Sequence, residues 1–264
     1  METNQYLIDA YNNGDEDGRL TRKFASVEFL TTMRYIEKYL KSGDKILEIG
    51  AATGRYAHAL ARSGYEVAAV ELVEKHIEIF KQNTQPGEKI TISQGNAMDL
   101  SGFPDDTYDI TLLLGPLYHL YNKQDKLQTL REAIRVTKRG GIIFAAYIIA
   151  DGCILDMGFK RGGFSVADYI ARGLIDPETF ATHSKPEDLF ELVRKEDIAD
   201  LMSCFAVTRL HYLASDGYAE RMHEAVDAMD DATFELYLKY HFATCEREDL
   251  IGMTSHSLDI FRKN

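Results

Sequence analysis

Apolar residues recur at helical spacing through residues 26–41, where Phe29, Met33, Ile36 and Leu40 share one face. Ser42-Gly43-Asp44 breaks the run. Strand-like and helix-like stretches then alternate. Residues 45–49 form an apolar strand pattern, and 55–63 a helical one closed by Gly64. Residues 66–70 are a second strand, 74–83 a helix stopped ahead of Pro86-Gly87, and 89–93 a third, alternating strand. The run 109–114 is apolar almost throughout, as expected of a strand covered on both faces. Residues 142–149 repeat that pattern after a helix over 123–137 and the break at Gly140-Gly141. Strands separated by helices at this spacing predict a parallel, doubly wound α/β sheet.

The alternation stops after Ala150. Residues 151–205 hold helical stretches, 166–172 and 187–205 among them, interrupted by Gly162-Gly163, Pro177 and Pro186. A strand pattern returns at 206–213, helical stretches follow at 218–229 and 232–247, and 257–262 is a last strand candidate. The first twenty residues read as an arm with a turn at Asn12-Asn13-Gly14-Asp15. The expected organisation is an arm and first helix (1–41), an α/β core (42–150), a helical cap inserted after the fifth strand (151–205), and a return to the sheet (206–264). A cap beside the carboxyl ends of the strands covers the crevice where such sheets bind ligands. Phe159, Phe164 and Tyr169 line either an apolar substrate pocket or the cap's own small core.

Composition narrows the class of function. The chain has 264 residues, 45% hydrophobic and 27% charged, which excludes a disordered chain and allows a sizeable core. The net charge is -12, with most of the excess in residues 151–264. A nucleic-acid groove needs a basic footprint, and none is visible. No apolar run is long enough to span a bilayer, and residues 1–20 lack the apolar segment of a signal peptide. Cys153, Cys204 and Cys245 are far apart and odd in number. That argues against a disulfide framework or a structural zinc site and fits a reducing compartment. The expectation is a cytoplasmic protein of open oligomeric state that binds a small molecule and neither nucleic acid, membrane nor metal.

Candidate chemistry sits at the first strand-to-helix turn, Glu48-Ile49-Gly50-Ala51-Ala52-Thr53-Gly54. Glycines there let the backbone turn tightly and approach a ligand. A dinucleotide site wants G-x-G-x-x-G, but Ala52 stands at the second glycine and Arg55 at the third, which makes a poor NAD site. Glu71 ends the second strand, where a carboxylate accepts both hydroxyls of a ribose. Asn96-Ala97-Met98-Asp99 follows the third strand. The Asn96 amide suits the edge of adenine or caps a turn. Leu112-Leu113-Leu114-Gly115-Pro116-Leu117-Tyr118-His119 ends the fourth strand in a turn at the crevice.

With these motifs in order, the stretch 45–147 resembles the class I S-adenosylmethionine-dependent methyltransferases, nearer their small-molecule branch than the nucleic-acid one. Residues 48–54 resemble the family's E/D-x-G-x-G-x-G loop, and Thr137-Lys138-Arg139-Gly140-Gly141 is similar to its L-K-P-G-G turn. The run Gly115-Pro116-Leu117-Tyr118-His119-Leu120 is similar to one in a bacterial subgroup. The resemblance implies a Rossmann-like, doubly wound, seven-stranded sheet whose last, antiparallel strand comes from 254–264. It implies S-adenosyl-L-methionine as cofactor, held by Glu48, Gly50, Ala51, Ala52, Gly54, Tyr56, Glu71, Leu72, Asn96, Ala97, Met98 and Leu114. Glu48 orders the loop or holds the cofactor's ammonium, or else is a strand-end carboxylate satisfied by backbone donors. Two positions depart from the pattern: Ala52 replaces the middle glycine, and Arg139 a proline.

His119 is the sharpest catalytic candidate. An imidazole there either removes a substrate proton or bonds to backbone beneath the cap. Tyr118 beside it walls the pocket or faces the sulfonium with its ring. His211, His241 and His256 read as structural. Tyr6, Tyr11 and Arg19 belong to an arm that either closes over the cofactor, with Arg19 meeting a carboxylate, or stays solvated. The leading expectation is methyl transfer from S-adenosylmethionine to an oxygen, nitrogen or sulfur of a small molecule. The alternative is a non-catalytic cofactor-binding or interaction protein on the same fold. RNA methylation is a third reading, opposed by the acidic second half.

Overall fold

The computed structural model describes residues 2–14 and 16–264; Asp15, part of the turn expected in the arm, lies outside the described residues. The arm itself is a helix, α1 (Glu2–Asn13), which sets Leu7 and Tyr11 one turn apart on one face. Helix α2 (Lys23–Tyr39) follows and buries Val27, Thr31, Tyr35 and Ile36.

The core alternates as its periodicity predicts: β1 (Lys45–Ile49), α3 (Arg55–Arg62), β2 (Glu66–Glu71), α4 (Glu74–Asn83), β3 (Ile90–Gln94), β4 (Tyr108–Leu113), α5 (Lys123–Val136) and β5 (Thr137–Ile149). The sheet is completed by β7 (Val207–Ala214) and β8 (His256–Lys263), and its order is β3-β2-β1-β4-β5-β8-β7. Strands β1 to β5 pair in parallel, whereas β8 runs antiparallel between β5 and β7. The path leaves β1 toward β2 on one side and resumes at β4 on the other. That switch point opens a crevice beyond the carboxyl ends of β1 and β4, where ligands of such sheets bind. The central strands β1, β4 and most of β5 are buried on both faces, whereas the edge strand β3 is largely exposed. Consecutive residues Ile143 and Phe144 of β5 enter opposite core layers, one with Leu47, Leu130 and Phe261, the other with Leu60, Phe80 and Ile260.

The second half departs from expectation in two places. The helix predicted over 187–205 begins only at α8 (Lys195–Met202). Ahead of it, Pro186–Asp188 is a 3-10 turn, Leu189 has a left-handed φ of +65°, and a two-residue strand, β6 (Leu192–Val193), pairs with the end of β5. Where the helix begins is set locally, since the Arg194 N–H donates to the Asp197 carboxylate at 2.8 Å. A Lys126–Glu191 ion pair of 2.6 Å also pins the preceding segment to α5. The helix predicted over 218–229 shrinks to α9 (His223–Asp227), because Arg221 spends its guanidinium on the carbonyls of Gly152 and Met253 and holds 217–222 in turns.

The remaining elements are α6 (Ala150–Cys153), a π-helical turn Ile154–Lys160, α7 (Val166–Ala171), α10 (Asp231–Thr244) and α11 (Glu248–Ile251). The inserted segment is thus a series of short helices and helical turns joined by irregular chain. Phe164 and Tyr169 join Ile154, Val166 and Ile175 in a small core of their own, while Phe159 is 62% exposed. Among the described residues no helix is long and apolar enough to cross a membrane.

Candidate active site

The crevice is a cavity lined by the β1 loop, the end of β2, the turn after β3, the turn after β4, and residues of α1 and the arm. Each wall follows from its sequence. Gly50 has φ +75°, and a Cβ there would sit 2.7 Å from the Pro116 ring, so only glycine fits. Gly54 has φ +91° and opens α3; its absent Cβ leaves room for the Phe80 ring. Gly54 shapes the loop but does not line the cavity, in contrast to the contact role predicted for it. Ala52 adopts φ +47°, a left-handed conformation that costs an L-residue about 1–2 kcal/mol. Its N–H donates to Glu71 Oε2 at 2.8 Å, which holds the strained loop in place.

Glu71 therefore has two tasks. Its other oxygen, Oε1, accepts from the Val73 N–H at 2.8 Å and lies 3.6 Å from His76 Nδ1. Each carboxylate oxygen keeps a further lone pair for a ligand hydroxyl. Glu48 is buried at the end of β1, lines the same cavity, and has no hydrogen-bond partner on Oε2. Burial pushes its carboxyl up to about 8, against a small lowering by the Ala57 N–H, and the nearby Glu71 raises it further. An orphaned buried acid in a cavity wall is costly unless something cationic meets it.

The remaining predicted residues fall as follows. Asn96 lines the cavity, but its Oδ1 accepts from the Met98 N–H at 2.9 Å, so the side chain also caps its own turn. Ala97, Met98, Leu72, Leu114, Ala51 and Tyr56 line the cavity too. Tyr118 donates its hydroxyl to the Leu114 carbonyl at 3.0 Å. His119 is fixed through both nitrogens. Nδ1 lies 2.9 Å from the Leu189 carbonyl, which as a pure acceptor requires Nδ1–H. Nε2 then accepts from the Tyr11 hydroxyl at 2.9 Å. Burial pushes the imidazole down to about 4, against a smaller rise from the Leu189 carbonyl, so it is neutral near pH 7.

The arm contributes Leu7, Tyr11, Arg19 and Leu20, whereas Tyr6 is not part of the lining. Arg19 lines the cavity, and its guanidinium pairs with the protein's own Glu16 at 2.8 Å and Glu28 at 3.1 Å. His211, His241 and His256 lie outside this cavity. They bond to Tyr39, Thr31 and Asp216 respectively. Sequence reasoning missed His76, which lines the cavity edge-on to Tyr11 at 5.2 Å and has an unpartnered Nε2. The available signal was a histidine on the apolar face of α4, beside Ile77 and Phe80.

Comparison with known proteins agrees with this geometry. Residues 47–145 match the family model for a methyltransferase domain. The chain is 34% identical over 116 residues to a demethylmenaquinone methyltransferase of Lysinibacillus sphaericus, covering 42% of this chain and 47% of that protein. It is 23% identical over 188 residues to a ubiquinone biosynthesis O-methyltransferase of Nitrosospira multiformis, covering 69% and 76% of the two chains. The chain thus spans about half the length of the first of these relatives. Among solved structures, a putative methyltransferase of Haloferax volcanii, in complex with its Trm112 activator, superposes with a TM-score of 0.59 at 14% identity, over 97% of this chain and 96% of that one. The sheet order, the glycine-bearing loop after β1, the acid ending β2 and the family match all converge on one stretch, residues 47–145, which is similar to a methyltransferase domain.

Proposed function

We propose that the chain transfers the methyl group of S-adenosylmethionine to a small-molecule acceptor. The observation that carries this reading is the unpartnered Glu48 Oε2 in the cavity wall, with the Glu71 carboxylate beyond the neighbouring strand. Two buried acids on adjacent strand ends suit a ligand that carries an ammonium at one end and a ribose diol further along. In this reading Glu48 receives the ammonium, Glu71 the ribose hydroxyls, and the turn at Asn96, Ala97 and Met98 the adenine. The backbone of Gly50, Ala51 and Ala52 runs beneath the methionine portion.

The cofactor brings a methyl carbon that is already electrophilic, so the protein builds no reactive centre. Its work is placement. The cavity must hold the acceptor atom in line with that carbon at about 3–3.5 Å. Its walls also exclude water, which favours a reaction in which positive charge is lost. His119, neutral near pH 7, is the group that takes a proton from the acceptor, and Tyr118 walls the same side. Relatives named for demethylmenaquinone and for ubiquinone biosynthesis support a small organic acceptor rather than a macromolecule. The net charge of -12 argues in the same direction. Three free cysteines suit work in a reducing, cytoplasmic compartment.

The test is incubation with methyl-labelled cofactor and a panel of hydroxyl, amine and thiol acceptors. We expect label on at least one class, lost in Glu71→Ala. Tight binding of S-adenosylhomocysteine with no labelled product across the panel would overturn the reading in favour of a cofactor-binding protein.

A further inference from the structure

Tyr11 occupies an unusual position for a residue of an N-terminal arm. Its hydroxyl is hydrogen-bonded to His119 Nε2 at 2.9 Å. Its ring meets the imidazoles of His76 and His119 edge-on, at centroid distances of 5.2 and 5.5 Å. The slot is therefore one that takes a phenol, with aromatic edges about the ring and a nitrogen lone pair at the hydroxyl.

The lone pair is built in by residues outside the arm. The Leu189 carbonyl accepts from His119 Nδ1 at 2.9 Å and from the Tyr121 hydroxyl at 2.7 Å. Leu189 holds this carbonyl in place at a φ of +65°, a left-handed conformation that is strained for a leucine. The grip locks the Nδ1–H tautomer and leaves Nε2 an acceptor whether or not Tyr11 is present. Phe190, 37% exposed, lies with its ring 5.4 Å from that of His119 and extends the aromatic surface outward. Tyr11 itself is held from a helix whose anchors near its C-terminal end are exposed bonds from Lys75 Nζ to the carbonyls of Asn12 and Gly14. Exposed bonds of this kind are weak restraints.

The geometry points to an aromatic alcohol as the methyl acceptor: a phenol takes the slot that Tyr11 fills and sets its hydroxyl on His119 Nε2. The inference rests on the methyl-transfer reading for its chemistry, though not for the slot. In the step, the phenol oxygen bonds to the methyl carbon as its proton passes to Nε2. The electrons of the broken carbon–sulfur bond remain on sulfur, which ends as a neutral thioether, and the product is an aryl methyl ether. Tyr11 is then an internal competitor that keeps the slot dry until an acceptor displaces it.

The test is calorimetric binding of 4-nitrophenol, 4-nitroaniline and nitrobenzene to the full chain, with and without S-adenosylhomocysteine. We expect 4-nitrophenol to bind at least tenfold more tightly than nitrobenzene and more tightly than the aniline. Tyr11→Ala should tighten 4-nitrophenol about tenfold by removing the competitor. Tyr11→Phe, which keeps the ring and the helix, should tighten it by a smaller factor. His119→Gln should weaken it at least tenfold and leave S-adenosylhomocysteine affinity unchanged. Equal binding of nitrophenol and nitrobenzene, or unchanged or weakened nitrophenol binding in both Tyr11 variants, overturns the inference. Should the nitrophenol results hold while S-adenosylhomocysteine fails to bind, the slot stands and the methyl-transfer reading falls.

Discussion

Glu48 and Glu71 occupy the ends of neighbouring strands, yet their environments set them apart. Glu71 receives two backbone N–H groups, while Glu48 Oε2 receives none and burial lifts its carboxyl to about 8. At pH 7 Glu48 is therefore mostly protonated in the free protein. An ammonium brought against it favours the ionised form, so its pKa falls and a proton is released on binding. We expect close to one proton released per cofactor at pH 7, read from calorimetry in buffers of different ionisation enthalpy. Affinity should rise from pH 6 toward pH 8, where a free α-amino group begins to lose its own proton. Glu48→Gln should abolish the release; release that persists in this variant would remove Glu48 from the site. Glu71→Ala should weaken binding by about 1.5–3 kcal/mol, the worth of a hydrogen bond to a charged group, and should loosen the Ala52 loop as well. For His119→Ala we expect kcat to fall at least about 100-fold with cofactor affinity nearly unchanged, and an unaltered kcat would end its catalytic assignment. These acids and His119 were legible in the sequence because each lies at or just past the end of a strand whose apolar pattern is plain. His76 was not, because a histidine on an apolar helix face has the same spacing whether it packs in the core or lines a cavity.

At the scale of elements, the parallel core was readable because buried strands and amphipathic helices differ in period, and glycines separate them. The inserted segment was not. Residues 187–194 carry a helix-compatible pattern, but tertiary ties override it: the Lys126–Glu191 pair, the Leu189 carbonyl held by His119 and Tyr121, and the pairing of β6 with β5. Such ties come from residues 44 to 70 positions away and leave no local signal. The final strands rest on another long-range tie. Arg209 of β7 makes a bidentate bond, 2.8 Å on each arm, to Asp259 of β8, whose side chain is fully buried. Arg209→Met leaves that carboxylate buried and unpaired, and we expect a loss of roughly 3–5 kcal/mol at neutral pH in denaturant unfolding. A stability within 1 kcal/mol of the parent would show that water takes the place of the guanidinium.

Across the whole molecule, residues from the arm and the core meet at one crevice, Tyr11 with the strand ends of Glu48 and Glu71, and the inserted segment reaches it only indirectly, through the Leu189 carbonyl behind His119. The fold class was legible from alternation alone. That the arm is a helix reaching His119 was not, since Tyr11 and His119 are 108 residues apart in sequence. The roles of Glu48, Glu71 and the Ala52 loop all turn on whether the chain binds the cofactor. The direct measurement is calorimetric binding of S-adenosylmethionine and S-adenosylhomocysteine to the full chain, with NAD as control. Micromolar binding of both, with proton release at pH 7 and none of NAD, is what the two acids and the interrupted glycine pattern require. Failure of both to bind, or NAD binding as tightly, would contradict it.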